Sequence, residues 1–150
     1  MTADAGATDR EQHGAPGIPA DAISRALLAE RIPGLMALYR FGSSVDGALR
    51  PDSDLDYAVL APQPLAPVAR FDLQEELAGR VRRSIDLVDL RSASTVMRMQ
   101  VVSRGVRVDV RDPTGTDTFE IAVYAAYARL NEERREILAD IARHGTVHGR

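Results

Sequence analysis

The sequence predicts an α/β fold, a mixed sheet of about four strands flanked by about four helices. Three observations carry this expectation. Short apolar runs of strand length alternate with longer segments whose apolar residues recur at helical spacing. The 150 residues sit near the commonest size for one domain, with no internal repeat and no linker. Apolar residues make up 45% of the chain and charged residues 27%, a balance suited to a packed core under a solvated surface.

The elements follow in chain order. Residues 1–17 are rich in Ala, Gly, Thr, Asp and Pro without periodicity and read as a disordered tail, leaving 18–150 as the folded domain. A first helix begins near Asp21, a capping residue, with Ile23, Leu27, Leu28 and Ile32 on one side. Pro33-Gly34 stops it. The apolar run 35–41 suits a buried strand and ends at Gly42-Ser43-Ser44. A second strand spans Leu55 to Leu60, broken by Pro62 and Pro64, and a helix over 67–83 follows. Residues 84–90 form a third strand, 93–104 a helix ended by Gly105, and 106–111 a strictly alternating fourth strand with one wet face. A long helix from Phe119 carries Val123, Tyr127, Leu130, Ile137, Leu138 and Ile141 along one stripe, and Gly145 closes it.

Composition removes whole classes of chemistry. Cysteine is absent, which excludes disulfides, thiol catalysis and thiolate metal sites. All 19 basic residues are arginine, so neither a Schiff base nor a Walker-A lysine is available. The histidines, His13, His144 and His148, lie near the chain ends, which argues against a histidine-centred triad. A net charge of −3 argues against direct nucleic-acid binding. No apolar run is long enough to span a bilayer, and the N-terminus lacks a secretory signal pattern, so a cytoplasmic protein is expected. Carboxylates, hydroxyls, arginines and backbone amides remain.

The informative stretch runs from Gly42 to Asp56. Gly42 permits close backbone approach to a ligand, and Ser43 offers a hydroxyl and amides as an anion seat at a helix start. Asp54 and Asp56 are two apart, so on a strand their side chains leave one face. Converging carboxylates of this kind suit Mg²⁺ that is shared with substrate phosphates. A third carboxylate completes a two-metal site, with metals about 3.5–4 Å apart. Asp86 and Asp89 both qualify, but their odd spacing sends them to opposite faces, and parity does not choose between them.

Gly42-Ser43, ten intervening residues, and Asp54-Leu55-Asp56 resemble the signature of the DNA-polymerase-β-type nucleotidyltransferases. Residues 20–145 as a whole resemble the minimal nucleotidyltransferase (MNT, MntA-type) antitoxins of HEPN/MNT systems, including Ile85–Leu90, Val106–Pro113 and Tyr127–Arg135. The resemblance implies a small nucleotidyltransferase fold and AMP transfer from ATP to a tyrosine of a HEPN ribonuclease toxin. That toxin, expected from a neighbouring gene, forms the hetero-oligomeric partner. The resemblance also implies that Gly42 and Ser43 hold the triphosphate and that Asp54 and Asp56 bind two Mg²⁺. Asp86 matches the third acid, binding one metal and accepting the acceptor hydroxyl's proton. Val45 and Asp46 depart from the family pattern, in which a small and then a basic residue is common.

Other features have plainer readings. Asp89 reads as a structural acid near Arg91, and Asp109 as solvent-facing beside Arg107 and Arg111. His144 and His148 have helical metal-pair spacing, but the break at Gly145 assigns them to a tail. Tyr124 and Tyr127 read as packing residues. Two competing functions are an antitoxin that only binds and occludes, and a nucleotidyltransferase acting on a small molecule or RNA.

Overall fold

The computed structural model describes residues 17–47, 50 and 52–145. The expected N-terminal tail, apart from Gly17, lies outside these residues, as does His148. In chain order the elements are α1 (Pro19–Arg31), β1 (Ala37–Phe41), a 3₁₀ turn (Gly42–Ser44), β2 (Leu55–Leu60), α2 (Pro67–Val81), β3 (Ile85–Asp89), α3 (Thr95–Arg104), β4 (Val106–Val110) and α4 (Pro113–His144). The four strands form one mixed sheet in the order β3-β2-β1-β4. β1 runs antiparallel to β2 and β4, whereas β2 and β3 are parallel. Among the described residues no helix is long and apolar enough to cross a membrane.

Strand alternation sorts the core into two layers. Leu38, Leu55, Tyr57, Val59 and Leu87 face α1 and α2, where they meet Leu27, Leu28 and Leu77. Tyr39, Phe41, Ala58 and Leu60 face the other way, toward Val101 of α3 and Phe119 and Val123 of α4. Arg91 and Arg98 lie 5.3 Å and 5.7 Å from the Phe119 ring centre, which adds cation–π contact to that layer. Gly105 is required between α3 and β4 for space, since a Cβ there would overlap the Val101 carbonyl and crowd that of Arg40.

Each layer contains a buried polar network. On the α4 side, Tyr39 donates to Glu120 at 2.6 Å, and Arg107 donates to the same Glu120 oxygen at 2.7 Å. Burial first, then the Glu120 carboxylate, pushes the Tyr39 phenol well above its usual range, so it stays a donor at physiological pH. On the α1 side, Arg40 lies with none of its surface exposed. Its partners belong to the site and are described with it.

Several element boundaries differ from the sequence expectation. α1 starts at Pro19, because proline at the first helical position needs no hydrogen bond there. Asp21 is therefore the third helical residue, and its carboxylate reaches back to the Ile18 amide at 3.0 Å. Ile23 on this helix is exposed rather than packed. α4 starts at Pro113 instead of Phe119, with Asp112 capping the Gly115 amide at 3.0 Å. Tyr124 is exposed and does not pack. Asp109 pairs with Arg111 at 2.8 Å, but Arg107 turns away to Glu120 and Asp117. His144 belongs to α4, before the Gly145 break, and pairs with Asp140 at 3.0 Å.

Glu120→Ala leaves the Tyr39 hydroxyl and the Arg107 guanidinium without their shared buried acceptor. Stability should fall by about 3 kcal/mol, as for a broken buried ion pair, and chemical denaturation measures it.

Candidate active site

The sheet topology brings the end of β1 and the starts of β2 and β3 to one edge. Phe41 pairs with Asp56 across β1 and β2, and Asp56 pairs with Asp86 across β2 and β3. Paired residues on parallel neighbours point to the same face, so the two carboxylates lie side by side about 4.8 Å apart at the backbone. That face is the one covered by α3 and α4, because Asp56 shares it with Ala58 and Leu60, and Asp86 with Val88. Asp54 precedes β2, is exposed, and lies close enough for its charge to act on Asp56.

Gly42 follows β1 directly and bends the chain across the head of β2. Its φ of +77° favours glycine, and a Cβ there would overlap the Asp56 carboxylate. Ser43 is exposed in the 3₁₀ turn. The anion seat expected at a helix start is thus a three-residue turn, stabilised by Val45 N–H donating to the Gly42 carbonyl at 3.0 Å. Asp46 is exposed beside it.

Two arginines that sequence reasoning passed over position this edge. Arg40 donates from Nη1 to the Ser44 carbonyl at 3.0 Å and to Ser44 Oγ at 3.2 Å. Its Nε donates to Asp21 at 3.1 Å, and Tyr57 donates to the same Asp21 oxygen at 2.7 Å. A buried cation therefore ties the Gly42–Ser44 turn to α1 and β2. Arg83 closes the other flank, donating to the Ser53 carbonyl at 2.6 Å and the Arg50 carbonyl at 2.8 Å. Both read as ordinary basic residues in sequence. The signal for Arg40 was its place inside an apolar strand, where a charge needs a partner.

Asp89, the alternative third acid, is on the opposite face and buried. It accepts from the Leu65 amide at 2.8 Å, the Arg91 amide at 3.0 Å and Ser92 Oγ at 3.0 Å. Its lone pairs are committed to holding the loops after β2 and β3.

Burial pushes the Asp56 carboxyl above its ordinary range, with the charges of Asp86 and Asp54 adding to the shift. Among the described residues no three carboxylate or imidazole groups are gathered closely enough to hold a metal ion by themselves. The donor set nevertheless fits a hard divalent cation: hard oxygen ligands and mutual repulsion that a cation relieves. The space that a Cβ at Gly42 would fill lies directly beside this acid, so backbone and carboxylate present one continuous polar edge.

A mixed sheet with a Gly-Ser turn after its first strand and acids at the heads of the next two is a nucleotidyltransferase core. Residues 26–114 match the family described as Polymerase beta, Nucleotidyltransferase. The protein adenylyltransferase MntA of Shewanella oneidensis is 40% identical over 119 residues, covering 77% of this chain and 82% of that protein. The chain belongs to this polymerase-β-type nucleotidyltransferase family, within its MntA-type minimal members. A crystal structure of a toxin–antitoxin with AMP-PNP superimposes with a TM-score of 0.74 at 37% identity, covering 81% of this chain and 98% of that one. An MNT antitoxin bound to the tri-AMPylated HEPN toxin of Shewanella oneidensis does so with a TM-score of 0.70 at 36% identity, covering 82% and 96%.

The raised carboxyl of Asp56 means that the fold favours its protonated form. That contribution is full below the ordinary carboxylate range and is lost as pH rises through the elevated value. At neutral pH the ionised acid therefore weakens the metal-free fold. Asp56→Asn should melt higher than the parent chain at pH 7 in EDTA, and the difference should shrink when Mg²⁺ is added. Thermal melts of both proteins in the two buffers measure it.

Proposed function

We propose that this chain is an antitoxin protein adenylyltransferase that moves AMP from ATP to a tyrosine of a partner HEPN ribonuclease toxin and inactivates it. The observation that carries this reading is the register that seats Asp56 beside Asp86, with Gly42 against the Asp56 carboxylate. In this reading Gly42 and Ser43 hold the triphosphate, Asp54 and Asp56 hold two Mg²⁺, and Asp86 holds one of them. Bound Mg²⁺ neutralises phosphate charge and aligns the α-phosphate for in-line attack.

The chain's own groups then do the following. The turn after β1 presents backbone to the phosphates, held against recoil by Arg40. Asp86, exposed at the head of an edge strand, faces the approaching acceptor and takes its proton. The tyrosine oxygen forms a bond to the α-phosphorus, the bond from that phosphorus to the bridging oxygen breaks, and pyrophosphate leaves. The product is a phosphodiester, so silencing outlasts the complex. Two relatives support a protein acceptor, since they are toxin–antitoxin complexes and one holds a toxin carrying AMP. An occluder has no use for three acids at one solvent-facing edge, where their repulsion costs stability.

The test is the mass of the neighbour-encoded HEPN protein after incubation with this chain, ATP and Mg²⁺. A gain of whole AMP units, with inactivity persisting after the complex is separated, is the expected result. Neutralisation without nucleotide and without a mass change points to occlusion instead.

Asp54→Asn and Asp86→Asn should each slow transfer by at least about a hundredfold, the scale of misplaced reacting groups, while leaving the fold intact. Asp89→Asn should keep transfer per folded molecule but lose about 1–3 kcal/mol of stability through its buried hydrogen bonds. Quenched-flow transfer assays paired with denaturation curves separate the two effects.

A further inference from the structure

α4 is longer than the sheet it packs on. It starts at the end of the sheet opposite the acids, where the Arg111 and Asp112 amides donate to the Met36 carbonyl at 2.7 Å and 3.2 Å. It passes mid-sheet at Glu120, bonded to Tyr39, and its last buried residue is Val123. The direction of travel is thus toward the edge that carries Gly42, Asp56 and Asp86, and on the face to which both carboxylates point. The helix continues to His144, roughly 30 Å beyond that point at 1.5 Å per residue. Residues 132–140 are all exposed.

This overhang is not a plain solvated face. The stripe that begins with buried Phe119 and Val123 continues through Tyr127, Leu130, Ile137 and Ile141 at spacings of three, four and seven. Ile137 is 49% exposed and its neighbour Leu138 65%. A shallow hollow beside Glu133, Ile137, Asp140 and Ile141 lies along the same side. Arg134 sits midway along the stripe. A symmetric antiparallel pairing of two copies centred on this stripe sets Arg134 against Arg134, which disfavours self-association. Glu133 and Asp140 flank the apolar residues as well, so a partner with an apolar ridge, a carboxylate opposite Arg134 and basic groups opposite these two acids suits it.

The geometry points to the distal half of α4 as a docking arm for the acceptor protein, gripping an apolar ridge flanked by charges of both signs beside the catalytic edge. The inference rests on the adenylyl-transfer reading for the nature of the partner. A body packed on the stripe stands on the side of the sheet to which Asp56 and Asp86 point, so docking and delivery of a hydroxyl become one event. It also supplies what a small domain otherwise lacks, an extended surface for a macromolecular substrate.

The experiment uses the full chain and the neighbour-encoded HEPN protein. In the double variant Ile137→Glu/Leu138→Glu, the KM for that protein should rise at least tenfold, and affinity for it should fall as much. The Kd for Mg²⁺-ATP and the melting temperature should not move, because both side chains lie outside the core. Arg134→Glu should weaken binding in the same direction, while Val68→Glu, exposed on α2 across the sheet, should change nothing. An unchanged KM and affinity in the double variant overturns the docking arm. So does a parent chain that dimerises through these residues in sedimentation and becomes monomeric in the variant. If the parent binds the partner but transfers no AMP, the enzymatic reading fails, and the binding arm of the experiment still decides the docking surface.

Discussion

The edge that gathers Gly42, Asp56 and Asp86 depends on one buried cation. Arg40 carries a permanent charge into the interior of the sheet, where an isolated guanidinium would be prohibitively costly. Asp21 and the Ser44 carbonyl and hydroxyl repay that cost only when α1, β1 and the 3₁₀ turn are all in place. The interaction is weak as a source of net stability and strong as a specification. Any arrangement that misplaces the turn strands a charge, so the backbone of the Gly42–Ser44 turn is fixed by the penalty for every alternative.

The two faces of β1 divide the work. Arg40 points toward α1 and fixes the turn, while Tyr39 points toward α4 and meets Glu120 and Arg107. One short strand thereby latches both helical layers with polar groups, and aliphatic side chains fill the rest. The acids gather where this rigid core stops, at strand ends that face water. There Asp54 and Asp86 remain accessible, while Asp56, half-buried between them, feels both. Rigidity behind and exposure in front is what an edge needs if it must receive both a polyanion and a bulky acceptor.

Much of this was legible in the sequence. Short apolar runs, one strictly alternating segment and helical spacing pointed to all four strands and four helices, because a strand buried on both faces is apolar throughout, one wet face enforces period two and burial on a helix enforces period 3.6. Parity correctly separated Asp86 from Asp89, since a strand sends residues three apart to opposite faces. The choice between them needed the family resemblance; the parallel pairing of β2 with β3 shows only that Asp86, not Asp89, lies beside Asp56. Helix starts were the weakest point. The first and last helices were expected to begin near Asp21 and Phe119, yet they begin at Pro19 and Pro113, each in a first turn that lacks hydrogen-bond demand. Arg83 was invisible because its role depends on carbonyls brought near only by tertiary folding, whereas Arg40 stood out only as a charge inside an apolar strand, with no sign of its partners. The stripe on α4 was seen, but periodicity cannot tell a stripe facing a core from one that has outrun it.

The length of α4 carries a consequence for how such a chain changes. Its root is clamped by Phe119, Glu120 and Val123, and beyond them it is an uninterrupted rod. Each residue added or removed along a helix turns everything distal by about 100° and shifts it by about 1.5 Å. One residue gained between Val123 and Ile137 would leave the sheet, the acids and the turn untouched, yet swing the apolar stripe a quarter-circle around the axis. Helical phase is therefore a separate setting of this molecule: point substitutions alter what the rod grips, and a change in length alters where it is held.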